Sequence, residues 1–204
     1  MRDCVIVGYP NSGKTMFALN FAGYLGSKSV DITFRTYDGL LTSRHFTLTE
    51  AKKELCSMAA HKTRLLQSMV LKMCVGKATV TFKLTDTCGV TESIHPDQSV
   101  RKAMAQTLGA VRSANFILHI LDLSRMNYPL ISNSLSISTI DKEIYYYGIT
   151  KMNYIILANK IDLPSAQENL EKVATTFPKA TVLPVSALYN NGFKEVKAFV
   201  ARNI

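Results

Sequence analysis

Gly8-Tyr9-Pro10-Asn11-Ser12-Gly13-Lys14-Thr15 is the stretch that decides the fold. It fits the pattern G-x-x-x-x-G-K-[ST]. A short apolar run, 4–7, precedes it, and a segment over 15–25 that reads as a helix through Met16, Leu19 and Gly23 follows it. Between a strand and a helix such a loop is a phosphate cradle. Its glycines let backbone N–H groups close on phosphate oxygens, and the helix N-terminus adds its positive dipole end. Lys14 reaches the terminal phosphates, and the Thr15 hydroxyl is placed to ligate Mg²⁺. The nucleotide-contacting run is therefore Asn11, Ser12, Gly13, Lys14, Thr15 and Met16.

Outward from this loop, apolar strand-like runs alternate with helical segments along all 204 residues. That alternation predicts an α/β protein of one domain, 1–204, with a largely parallel sheet. Strands are expected at 79–86, 115–122, 153–159 and 181–185, with an exposed one at 39–48. Helices are expected at 98–112, 139–147, 165–177 (Ser165 as N-cap) and 191–202. The stretches 26–38, 87–99 and 123–136 read as polar loops. Within 50–73, Leu55, Met58, Ala59, Leu65, Leu66, Met69, Val70 and Met73 recur at three- and four-residue steps. This predicts a helix ~36 Å long, capped by Thr49 and ended by Gly76.

Composition excludes whole classes. A hydrophobic fraction of 47% and a charged fraction of 19% rule out a disordered or low-complexity chain. The apolar runs fall far short of the ~20 residues a membrane helix needs. The N-terminal run is too short for a secretory signal, so a cytoplasmic protein is expected. The four cysteines form no C-x-x-C pair, which argues against zinc. A net charge of +9 leaves acidic partners open without choosing among them.

Three further motifs follow in chain order. Asp86-Thr87-Cys88-Gly89 ends an expected strand; its Asp suits the Mg²⁺ shell, and Gly89 lets a backbone N–H approach a terminal phosphate. Asn159-Lys160-Ile161-Asp162 follows another strand. The Asp162 carboxylate can accept two hydrogen bonds from the N1 and 2-amino groups of guanine, which adenine cannot offer. Asn159 can bond the purine edge or neighbouring loops, and the Lys160 stem can cover the base. Ser186-Ala187-Leu188 follows the last strand, with a backbone N–H for the guanine carbonyl. Each motif stands at the carboxyl end of an expected strand, where open α/β sheets place ligands.

Taken together, these four motifs resemble the signature of the P-loop GTPases, and the resemblance covers nearly the whole chain. The loop Gly8-x-Pro10-Asn11-x-Gly13-Lys14-Thr15 resembles the Era/Obg-like group of the translation-factor class. The resemblance implies a three-layer P-loop NTPase fold: a mostly parallel central sheet with one antiparallel strand, here with an inserted helix at about 50–76 between two strands. It implies GTP and GDP as ligands, with Mg²⁺ at Thr15, Asp86 and a switch-loop threonine. Thr36 is the choice for that threonine, because Phe34-Arg35-Thr36 resembles the group's Phe-Thr-Thr run; Thr33 is second. Lys14, Thr36 and Gly89 are the expected catalytic set. Asn11 either helps bind K⁺, as in the potassium-activated members, or only shapes the loop. Val90 stands where related proteins place a water-orienting Gln, so unaided hydrolysis should be slow, with loops 26–42 and 87–99 acting as switches.

The rival readings are a P-loop ATPase or small-molecule kinase, and a GTP-stabilised binding module with negligible turnover. The basic segment 50–73 and the residues Arg101, Lys102 and Arg112 flank the expected switch loops. They read first as solvated basic faces, and second as a docking side for an acidic protein or ribosomal effector near the switch loops. A nucleotide-dependent dimer is the other expected partner. Cys88 replaces a Pro common in the family and reads as a small tolerated side chain. His95 reads as a solvated residue and His119 as a core histidine.

Overall fold

The computed structural model describes residues 1–56, 64–151 except 128–136, 153–164 and 166–203. Eight strands form one sheet: β1 (Arg2–Gly8), β2 (Ser29–Arg35), β3 (Leu41–Thr47), β4 (Leu66–Val75), β5 (Ala78–Asp86), β6 (Phe116–Asp122), β7 (Tyr154–Asn159) and β8 (Thr181–Val185). Their spatial order is β3-β2-β4-β5-β1-β6-β7-β8. The pairs β5·β1, β1·β6, β6·β7 and β7·β8 are parallel. The pairs β3·β2, β2·β4 and β4·β5 are antiparallel.

Among the described residues six α-helices cover the sheet: α1 (Lys14–Tyr24), α2 (Leu48–Leu55), α3 (Gln98–Ser113), α4 (Thr139–Gly148), α5 (Ala166–Thr176) and α6 (Phe193–Asn203). Strand alternation sends Cys4 and Ile6 to one face and Val5 and Val7 to the other. The first pair joins a core with Phe17 and Phe21 of α1, Ala51 of α2 and Phe193 and Val196 of α6. The second joins Val111 of α3, Ile144 of α4 and Val173 of α5. This is the three-layer α/β architecture expected, with a parallel majority of strands.

The expected long helix at 50–76 is corrected. Among the described residues of that stretch only Leu48–Leu55 is helical, and Thr47 rather than Thr49 caps it, in a capping box with Glu50. Residues 57–63 lie outside the described set. From Leu66 the chain is strand β4, in register with β5 from Gln67↔Asp86 to Val75↔Ala78. Met69, Leu71 and Met73 are buried, whereas Val70, Lys72 and Cys74 are exposed. The period is two, and the apparent helical spacing came from counting both faces of one strand. Gly76, at φ 60, makes the tight turn into β5 instead of ending a helix. The sheet also has a second strand, β3, running against the parallel set.

The chain's extra length therefore lies ahead of β4, as the β2–β3 hairpin and α2. Strand β2 falls in the expected loop 26–38. Val30, Ile32 and Phe34 alternate with Ser29, Asp31, Thr33 and Arg35, and the polar half hid the strand. On the side of the sheet that α3 flanks, β2 and β4 leave a groove of ≈ 850 Å³ lined by Thr33, Arg35, Ser68, Val70, Thr85 and Gln106, among others. The expected N-cap Ser165 lies outside the described residues. His119 is wholly buried, with Nδ1 at 2.8 Å from the Tyr154 hydroxyl and Nε2 at 3.0 Å from Asp141. It is a satisfied core histidine that ties α4 to β6 and β7.

Candidate functional site

The parallel strands end on one edge, and the four sequence motifs meet there. The loop from β1 to α1 turns through Gly8 at φ 151 and Gly13 at φ 98. A side chain at Gly8 would strike the Ile120 carbonyl at 2.2 Å, and one at Gly13 would strike Asn159 Nδ2 at 2.3 Å. Glycine is needed at both places because backbone and a fixed amide approach too closely for a Cβ. Lys14 is buried. Its amine donates to Tyr9 O at 2.6 Å, Gly8 O at 3.1 Å and Ser12 Oγ at 3.5 Å. Burial lowers its pKa, and the Asp86 carboxylate opposes that shift.

The Thr15 hydroxyl donates to Asp86 Oδ2 at 2.6 Å. Asp86 Oδ1 is buried and finds no hydrogen-bond partner among the described residues. Burial pushes the Asp86 pKa up to about 6, against the Thr15 bond and the Lys14 charge. A buried carboxylate with one orphaned oxygen beside a threonine hydroxyl fits Mg²⁺, a hard cation that takes oxygen ligands and keeps several from water or phosphate. Among the described residues no group of three His, Cys, Asp or Glu converges. A Mg²⁺ held by one carboxylate, one hydroxyl and phosphate oxygens does not require such a group.

The second motif is clamped to the first. A Cβ at Gly89 would lie 2.5 Å from Pro10 N and Cα, and the Val90 N–H donates to Gly8 O at 3.2 Å. Thr87 donates to Ile6 O at 2.7 Å, and Thr107 of α3 donates to Cys88 O at 3.2 Å. The Val90 side chain is buried in the core, so it presents no group to a water. The Cys88 thiol is buried as well. Burial pushes it up to about 11, which leaves it protonated and inert at neutral pH. The His95 ring accepts the Asp97 N–H at 3.1 Å within the same loop.

Asn159 joins the third and fourth motifs to the cradle. It donates to Ser12 O at 2.7 Å and accepts the Ala187 N–H at 2.9 Å. Of the two roles open to Asn159, the structure assigns it the loops. Lys160, at φ 68, reaches Asp122 Oδ2 at 2.6 Å. Asp162 is exposed at the rim, Ser186 is buried with its hydroxyl accepting Tyr189 N–H at 3.2 Å, and Leu188 is exposed. Asn11, at φ 60, is exposed, and Met16 is partly buried in the first turn of α1.

Thr36 and Thr33 are not brought to this edge by any described contact. Thr36 Oγ1 accepts Leu40 N–H at 3.0 Å inside the β2–β3 turn, and Gln106 of α3 donates to Thr36 O at 2.8 Å. The Thr33 hydroxyl lies 2.9 Å from that of Ser43 on β3. Much of the expected switch stretch 26–42 is thus ladder. Asp86 lies between β1, through Ile6, and β4, through Gln67.

Two supporting residues escaped the sequence reading. Asp122 accepts both the Lys160 amine and, at 2.9 Å, the Ser124 N–H, and Asn20 of α1 donates to Ala187 O at 2.6 Å. A carboxylate closing the wholly apolar-flanked run of β6 was the legible signal for the first. Nothing in the sequence marked Asn20.

Residues 3–160 match the model of a family described as 50S ribosome-binding GTPase. The GTPase Obg of Shouchella clausii is 29% identical over 128 residues, covering 59% of this chain and 28% of its own length. That of Akkermansia muciniphila is 22% identical over 201 residues, covering 97% and 47%. The chain thus spans less than half the length of these curated relatives. Among solved structures, Aquifex aeolicus Era bound to GDP and AlF4⁻ aligns with a TM-score of 0.68 at 21% identity, over 100% of this chain and 57% of that one. Era in complex with MgGDPNP and a piece of 16S ribosomal RNA aligns at 0.66 and 21%, over 99% and 56%. These likenesses establish the fold.

Proposed function

Because the chain belongs to the 50S ribosome-binding GTPase family, we propose that it binds GTP with Mg²⁺ at this edge, hydrolyses it slowly to GDP and phosphate, and acts as a molecular switch. The observation that carries this reading is the Thr15–Asp86 pair at 2.6 Å, with its orphaned carboxylate oxygen, beside the buried Lys14 amine. The cradle amides from Asn11 to Met16 hold the phosphates, and Lys14 trades its loop carbonyls for phosphate oxygens. Thr15 and Asp86 would hold Mg²⁺, which when bound would supply positive charge to the phosphate oxygens. Gly89, pressed on Pro10, presents its N–H where a terminal phosphate would sit. Asp162 reads the guanine edge, Lys160 covers the base, and Ser186-Ala187-Leu188 closes the far side.

For the threonine that senses the terminal phosphate, Thr36 is committed to its own turn and to Gln106. Burial of Val90 gives the negligible-turnover module its support, and K⁺ at Asn11 is the proposed remedy. An acidic ribosomal partner on the switch side is suggested by the Era complex with ribosomal RNA and by the basic residues of α3.

Competition of ATP, GTP and xanthosine triphosphate for the purified protein tests the reading, with turnover measured in K⁺ and in Na⁺. GTP should win over ATP, and Asp162→Asn should move the preference toward xanthosine triphosphate. Equal ATP and GTP affinity would point to the ATPase or kinase reading instead.

A further inference from the structure

Arg125 lies in the 3-10 helix Leu123–Asn127 that follows β6, three residues past Asp122. Its guanidinium carbon sits 3.7 Å from the centroid of the Tyr9 ring. Tyr9 is the second residue of the phosphate cradle, and its carbonyl accepts the Lys14 amine at 2.6 Å. The two segments are close because the Gly8 backbone leaves no room for a Cβ against the Ile120 carbonyl, 2.2 Å away. Asp122 fixes the start of the 3-10 helix through the Ser124 N–H and hydroxyl. The Arg125 side chain is thus carried to the rim of the site by the end of a fully buried strand.

Stacking engages the flat face of a guanidinium and leaves its N–H edge open. Arg125 is exposed, and among the described residues no carboxylate pairs with it. It therefore presents a fork of donors of the kind that suits phosphate oxygens. The site has a use for that charge. Lys14 is the only cation among the cradle residues 8–15, and the buried Val90 side chain brings no polar atom to the terminal phosphate.

Resting on the GTP reading above, we propose that Arg125 is a second cationic ligand of the triphosphate, supplied by the chain itself. The Tyr9 ring is its rest position, from which the guanidinium turns onto the terminal phosphate oxygens when GTP is bound. In hydrolysis, water oxygen bonds to the γ-phosphorus and the bond from that phosphorus to the β–γ bridging oxygen breaks. The products are GDP and inorganic phosphate, with one proton released. Arg125 transfers no proton; it stabilises charge that grows on the bridging and terminal oxygens. GDP lacks the group that Arg125 holds, so the residue favours GTP over GDP.

The test compares Arg125→Ala, Arg125→Lys and Tyr9→Leu with the parent. It reads affinities for GDP and a non-hydrolysable GTP analogue, single-turnover hydrolysis, and melting temperature. Arg125→Ala should lower the ratio of GTP-analogue to GDP affinity at least tenfold and slow single turnover at least tenfold, with GDP affinity within threefold of the parent. Arg125→Lys should recover part of the ratio. Tyr9→Leu should reduce it less than Arg125→Ala does. An unchanged ratio, or equal loss of GDP and GTP-analogue affinity as expected of a simple brace for the cradle, overturns the proposal. Should the parent bind GTP without turnover, the affinity ratio alone decides. A parent that binds no guanine nucleotide defeats the GTP reading first, a failure visible before any variant is made.

Discussion

The two halves of the sheet are built on different rules. In the half made by β1, β6, β7 and β8, strands run parallel, and every residue of β6 and β7 is buried. Both faces of β6 and β7 are covered, so these two strands read as nearly continuous apolar runs that stop at Asp122 and Asn159. In the half made by β2, β3, β4 and β5, the added strands pair antiparallel, with one face on α1 and α2. Their other face carries Thr33, Arg35, Ser68 and Lys83 and opens into the ≈ 850 Å³ groove. The comparison teaches where the chemistry can sit. Parallel strands bring their carboxyl ends, and the loops after them, to one edge, and a cover on both faces keeps that edge stiff. Of the antiparallel half only β5, which also pairs parallel with β1, carries a motif to that edge, Asp86–Gly89.

The sharpest way to break this contrast is to remove matching amounts of apolar surface from each half. Ile156 of β7 is wholly buried, and Ile156→Ala should cost about 3 kcal/mol, read as a lowered denaturant midpoint. A cost under about 1 kcal/mol would mean that β7 is not packed on both faces. Next in size, Thr47→Ala removes the capping box that starts α2 and should cost about 1 kcal/mol. Nucleotide affinity should be unchanged, because α2 contributes no residue to the nucleotide edge.

Smaller again, Val70→Ala on the open face of β4, where Val70 is 55% exposed, should stay within about 0.5 kcal/mol. A larger loss would show that something covers the groove in solution. The smallest effect expected is that of Thr36→Ala, with Mg²⁺-dependent GTP affinity within threefold of the parent. If Thr36→Ala abolishes the Mg²⁺-dependent preference for GTP over GDP, the β2–β3 turn belongs to the switch and the contrast between the halves fails at that point.

Legibility followed the same division. The motifs at Gly8–Thr15, Asp86–Gly89, Asn159–Asp162 and Ser186–Leu188 could be placed because their residue types stand at fixed spacing, and the runs Cys4–Val7 and Tyr154–Ala158 before two of them are apolar throughout. Strand β2 was hidden because half of its residues are polar and face the groove. Strand β4 was read as a helix because Leu66, Met69, Val70 and Met73 fit a 3.6-residue period by mixing its two faces. A short run of residues does not distinguish those periods when an exposed valine joins the buried set.

The sequence by itself determined the cradle, the order of the motifs and the class of ligand proposed for them. Those depend on glycine, lysine, threonine and aspartate at fixed spacing, and a local loop geometry follows from local residues. Tertiary structure alone decided that Asn159 braces the loops, that Val90 and Cys88 are buried, that Thr36 faces its own turn, and that Arg125 lies on Tyr9. Each of these is a contact between segments far apart in the chain. Such contacts are set by strand order and register, which composition and periodicity do not encode.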